Sequence, residues 1–219
     1  MARKSSSLLA YFMMLLVIAA NALAHPKELN PTALVLSVFN DASVPPETLA
    51  QGETRAAHIL AQAGIQVEWL NCVSEGSHVP DQFEPPSPCS RIAYPSHLSV
   101  RIALTGRSVK DDIFGEAFTD SDGRGTYVTL YYAHLADPTT HLPLSDAELL
   151  GHVIAHEVGH LLLGTDSHSH DGIMQGRWAD VQLREARKGH LQFSASQAAF
   201  MRECLGEGTK KRVSARIGD

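Results

Sequence analysis

The sequence predicts one α+β domain: a mixed, twisted sheet that carries one strongly capped helix and is followed by a small C-terminal helical part. Three observations point there. Apolar alternation of strand period recurs on both sides of a single early helix, an Asp-Gly turn joins two further strands, and two capping boxes open the later helices. The 219 residues, 44% hydrophobic and 19% charged, suffice for one ordinary core. With 18 Lys and Arg against 24 Asp and Glu the net charge is −6. Such a chain is not expected to track phosphate backbones, so no nucleic-acid partner is expected.

Element by element, the chain opens with Arg3 and Lys4, an apolar run from Leu8 to Ala20, and Ala22-Leu23-Ala24. That order reads as a cleavable signal peptide over residues 1–24. The run falls short of the roughly 20 residues that span a bilayer. The mature protein is therefore expected to start at His25, secreted or periplasmic, with no membrane association and as a monomer. The short stretch before Ala33 leaves no room for an inhibitory prodomain.

Ala33 to Phe39 is a buried strand, and Pro45-Pro46 opens a helix to Ala63, with Ala56, Ile59, Leu60 and Ala63 on one face and Gly64 as its stop. Ile65, Val67 and Trp69 alternate as a second strand, and Leu98, Val100, Ile102 and Leu104 as a third. Cys72 and Cys89 flank the segment Val73 to Pro88, crowded with prolines, and in an exported chain a bridge there contributes roughly 3 kcal/mol by loop entropy. Cys204 is left over and reads as a buried apolar residue.

Gly115 to Thr119 and Thr126 to Tyr132 form a hairpin through Asp122-Gly123. Asp120-Ser121-Asp122-Gly123 resembles a fragment of a calcium loop but lacks the closing Glu, so a turn is expected. Ser145-Asp146-Ala147-Glu148 caps a helix to Leu163, which Gly164 ends. Ser194-Ala195-Ser196-Gln197 opens the last helix, with Ala198, Met201 and Leu205 at core spacing. The domain is read as 25–205, and the basic residues 206–219 as a disordered tail.

The capped helix contains His156-Glu157-Val158-Gly159-His160. Residues four apart share a helix face, so both imidazoles can reach one zinc ion, and Glu157 can act on water beside it. Zinc acidifies that water, the carboxylate takes its proton, and the ion polarises the carbonyl under attack. In a chain with 12 His, chance supplies such a match roughly 0.04 times.

These residues, with Gly164, His168 and Gly172-Ile173-Met174 beyond them, resemble the metzincin clan of zinc endopeptidases. The order of strands and helices, with Gly115-Glu116-Ala117-Phe118 before the helix, is similar to the N-terminal subdomain of that clan. The resemblance implies a zincin fold, one catalytic Zn2+, a peptide or protein substrate pairing with the strand at Gly115 to Thr119, and a turn at Met174 beneath the metal. The usual pattern is H-E-x-x-H-x-x-G-x-x-H, whereas one extra residue stands here on each side of the glycine. His168 is favoured as third ligand because it leaves enough chain before Met174. Asp166 is its rival, and His170 and Glu185 are further candidates; Met174 is equally well read as core. His152 is expected to pack above the site, and His134, His141 and His190 to be structural or exposed. A specificity pocket is expected between Asp166 and Trp178. With Gln175 and Gly176 after Met174, no transition-state donor is assigned. The function read is a secreted zinc endopeptidase with Glu157 as general base. The alternatives are an exported zinc-binding protein without turnover, which has no need of Glu157, and a hydrolase of a non-peptide amide.

Overall fold

The computed structural model describes residues 32–73, 87–105, 113–136, 143–164 and 166–217, with side chains up to residue 206. The leader, most of the proline-rich segment and His141 lie outside the described residues. All of the described residues belong to one compact unit, Pro31–Asp219. Its elements are β1 (Thr32–Asn40), α1 (Pro46–Gln62), β2 (Ile65–Cys72), β3 (His97–Ala103), β4 (Gly115–Phe118), β5 (Tyr127–Tyr131), α2 (Tyr132–Leu135), α3 (Asp146–Leu163), α4 (Asp180–Arg187) and α5 (Ala195–Ile217).

The sheet order is β2-β1-β3-β5-β4, parallel except for β4, which runs antiparallel to β5 at the edge. Strand period puts Leu34, Leu36 and Val38, then Leu98, Val100 and Ile102, then Val128 and Leu130 on one face, and all are at most 1% exposed. The register sets Leu36 beside Leu98, Val38 beside Val100, and Val100 beside Val128. Four of the alternate positions are polar and still buried: Ser37, His97, Ser99 and Thr129. Ser37 Oγ lies 2.8 Å from His97 Nε2, which satisfies both groups away from water. The third strand ends at Ala103, one residue short of the alternation, and Leu104 is 58% exposed.

Helices α1 and α3 pack together at two glycines. A Cβ on Gly151 would lie 2.6 Å from the Gly52 carbonyl oxygen and 2.6 Å from Arg55 Cβ, so no side chain fits there. Arg55 and Glu148 bridge the pair at 3.1 Å beside the crossing. Both capping boxes are formed: Ser145 Oγ accepts from Glu148 N while Glu148 accepts from Ser145 N, and Ser194 and Gln197 do the same. Gly164 closes α3 at φ 93°, donating to the His160 carbonyl.

In the β4–β5 turn, Asp120 Oδ1 accepts from the N–H groups of Asp122 and Arg124, and Gly123 takes φ 74°. Cys72 and Cys89 are bridged, 17 residues apart in the chain. Cys204 is only half-buried, and its Sγ lies 3.1 Å from Tyr94 Oη. One expectation needs correction: residues 206–217 are not an irregular tail, because α5 continues to Ile217. A glycine inside a helix costs only about 1 kcal/mol, and cations near a helix C-terminus favour its dipole, so Gly206 does not stop a helix already anchored by Ala198, Met201 and Leu205.

Gly151→Ala should lower unfolding free energy by about 1 to 3 kcal/mol through overpacking, measured by urea unfolding. Gly206→Ala, with open space around the added methyl, should raise it by about 0.5 to 1 kcal/mol.

Candidate metal centre

Four-residue spacing on α3 sets the His156 and His160 rings on one face, with their Nε2 atoms 3.0 Å apart. Beyond the helix, Gly164 at φ 93° and Asp166 at φ 60° reverse the chain and absorb the lengthened loop. His168 returns to the pair, its ring centroid 4.7 Å from that of His160 and 5.6 Å from that of His156. One ligand atom from each of the three lies within 4.8 Å of the others, and no other such group occurs among the described residues. The other candidates stand apart. Asp166 is exposed on the cleft rim, and His170 is exposed, its carbonyl accepting from Gln175. Glu185 is engaged by Lys188 at 2.8 Å and His190 at 3.0 Å on α4.

Each ring of the trio is held from behind. His156 Nδ1 donates to the Ile173 carbonyl at 2.7 Å, which fixes its tautomer and leaves Nε2 as a lone pair. His160 Nδ1 lies 2.8 Å from Ser167 Oγ, a hydroxyl able to serve either tautomer. His168 packs on Gly176, where a Cβ would stand 3.0 Å from Nδ1. Below the helix, Met174 is fully buried, and its Sδ lies 2.6 Å from where a Cβ of Gly159 would be. Gly172 takes φ 76° to start the turn that carries Met174, and the Met174 carbonyl accepts from Ser169 N. Ser167, the Ile173 carbonyl and the need for glycine at 159 and 176 carry no sequence signal of their own, because each acts through backbone position or absence of bulk.

No family model matches the chain, and no curated protein does. Among solved structures it is similar to archaemetzincin from Methanopyrus kandleri, with a TM-score of 0.52 and 14% identity over 84% of this chain and 99% of that one. It is also similar to a zinc-dependent peptidase from Methanocorpusculum labreanum, with a TM-score of 0.48 and 14% identity over 76% of this chain and 99% of that one. The fold is zincin-like α+β.

In this zincin-like frame the histidines fit a cation. Burial pushes His156 down to about 4; burial and then the neighbouring rings push His160 down to about 3, so both are neutral at physiological pH. Two nitrogens each about 2.0 to 2.1 Å from one tetrahedral ion stand about 3.3 Å apart, close to the separation found. Glu157 is 5% exposed, and burial, then the charge of Glu116, pushes it up to about 8. Gly115 lets β4 approach it: a Cβ there would meet Glu157 Cγ at 2.9 Å and Oε1 at 3.0 Å.

The site opens into a cleft of about 1190 Å³ between β4, α3 and the loop from Gly164 to Trp178. The Phe114 carbonyl accepts from Tyr131 N, so by antiparallel alternation Gly115 and Ala117 turn their own main-chain groups to the open edge. Glu116 also belongs to the cleft wall, its carboxylate accepting from Tyr131 Oη at 2.7 Å. His134, expected to be structural or exposed, lines the cleft as well, its Nδ1 donating to the Ile113 carbonyl. His152 is fully buried, with Nδ1 donating to the Glu148 carbonyl at 2.7 Å.

In chelator-treated protein the two kinds of group act with opposite signs. Folded Glu157 keeps its proton to about pH 8 while the unfolded chain releases it near 4.5, so stability falls as pH rises through that window. Unfolded imidazoles take protons near 6.5, whereas folded His156 and His160 resist until about 4 and 3, so stability also falls as pH drops below 6.5. Glu157→Gln should flatten the alkaline decline and leave the acid one, read from thermal unfolding across both windows.

Proposed function

We propose that this chain is an exported zinc-dependent endopeptidase, with His156, His160 and His168 as the ligands of one zinc ion and Glu157 as general base. The observation that carries the reading is the convergence of three histidines beside a buried carboxylate, under an open strand edge. Likeness in fold to archaemetzincin agrees with it.

When bound, zinc supplies Lewis acidity, acidifying water and polarising a carbonyl. The protein's own groups do the rest. Ile173 and Ser167 hold two of the ligand rings in place. Glu157, protonated to about pH 8 by burial, is the group whose ionisation an adjacent divalent charge favours. As general base it takes a proton from the attacking water and returns it to the leaving amine. Gly115 and Ala117 offer main-chain groups to an extended peptide, which adds as a strand beside β4. Met174, packed under Gly159, supports the helix between the first two ligands.

Glu157→Gln should keep one zinc per chain and lose about 10²- to 10⁴-fold in cleavage of an unstructured protein such as casein. Zinc content should fall in His168→Ala and persist in Asp166→Ala; the reverse would transfer the third ligand to Asp166. Zinc without cleavage of any peptide would leave a zinc-binding protein of this fold.

The leader 1–24 makes this enzyme an exported one. N-terminal sequencing of protein recovered outside the cytoplasm should begin at His25, and retention of Met1 there would remove the signal peptide.

A further inference from the structure

The carbonyl that orients His156 belongs to an irregular segment, so something must hold the carbonyl itself. Ile173 N is anchored, donating to the Gln192 carbonyl at 2.9 Å. On its other side the Ile173 carbonyl takes two donors: His156 Nδ1 at 2.7 Å and Trp178 Nε1 at 3.2 Å. A carbonyl oxygen has two lone pairs, so both bonds can form together. The indole ring then meets His156 edge-on, with centroids 5.4 Å apart at 89°. It meets His152 the same way at 6.3 Å and 85°, and His152 is itself tied to the Glu148 carbonyl. The order His152, Trp178, His156 is therefore a buttressed row, with the indole N–H closing the segment from Ile173 to Trp178.

We propose that Trp178 is a positioning residue for His156: its indole N–H fixes the Ile173 carbonyl, and its ring fixes the plane of the imidazole. This rests on His156 being a zinc ligand. Groups that orient metal-bound histidines through their second ring nitrogen affect affinity by about 10- to 100-fold when removed. Trp178 works one bond further out, through the shared carbonyl, and a change near tenfold is expected.

The chain has two tryptophans, and the other, Trp69, lies on β2 at the opposite edge of the sheet. Trp69→Phe is thus a matched control for Trp178→Phe. Zinc affinity is measured by chelator competition, and the ligand field by the visible spectrum of the cobalt-substituted protein. Trp178→Phe should bind zinc about tenfold more weakly than Trp69→Phe and shift the cobalt bands, an effect that loss of stability alone would not produce. If Trp178→Phe does not fold, benzothienylalanine at position 178 keeps the bicyclic shape, deletes only the N–H, and should give the same weakening. Equal affinity and unchanged cobalt bands in either variant overturn the proposal while leaving the zinc site standing. Failure of the unaltered chain to bind zinc overturns the site, and this role with it.

Discussion

The Nε2 atoms of His156 and His160 stand 3.0 Å apart, and two lone pairs cannot face each other across that gap. The Ile173 carbonyl commits the His156 proton to Nδ1, so a lone pair faces that space, to be met either by the Nε2–H of a neutral His160, whose Nδ1 then accepts from Ser167, or by a cation. Burial disfavours an added proton there, because both rings resist protonation to well below the usual imidazole range. Much of the surrounding architecture serves to keep the two rings there. Gly151 and Gly52 let α1 back α3 closely, the capping box fixes where α3 begins, and Gly159 admits Met174 beneath the turn between the rings.

The carboxylate beside them is governed by a different compromise. Glu157 is buried by an edge strand that can come so near only because residue 115 has no side chain. That closeness raises the cost of its charge, and Glu116 on the same strand adds to it. In the zinc site proposed above, a nearby divalent charge offsets that cost. One short strand thus sets the cost of charging Glu157.

Much of this was legible in the residues. Periodicity and caps gave the strands, both main helices and the hairpin, since Ser145, Glu148, Ser194 and Gln197 act locally and their partners are three residues away. Spacing alone placed His156 and His160 together. It favoured His168 over Asp166, His170 and Glu185 without deciding the matter, because which of them reaches the pair depends on the positive-φ residues Gly164 and Asp166. The supports at Ser167, Ile173, Gly176 and Trp178 were invisible for a related reason: they are made by chain reversal. The continuation of α5 past Gly206 departs from the expected disordered tail, because a basic, Gly-bearing stretch without apolar periodicity can still extend a helix whose first turns are packed.

The edge offered by β4 has a cost unconnected with chemistry. A strand paired on one side only is a template for any other strand, including the same strand of a second molecule, and exposed Phe118 makes this one more adhesive. Four residues of strand and a carboxylate at Glu116 are the features that blunt such self-pairing. A variant with a longer or more apolar β4 would gain grip on extended chains and, by the same contacts, a tendency to aggregate.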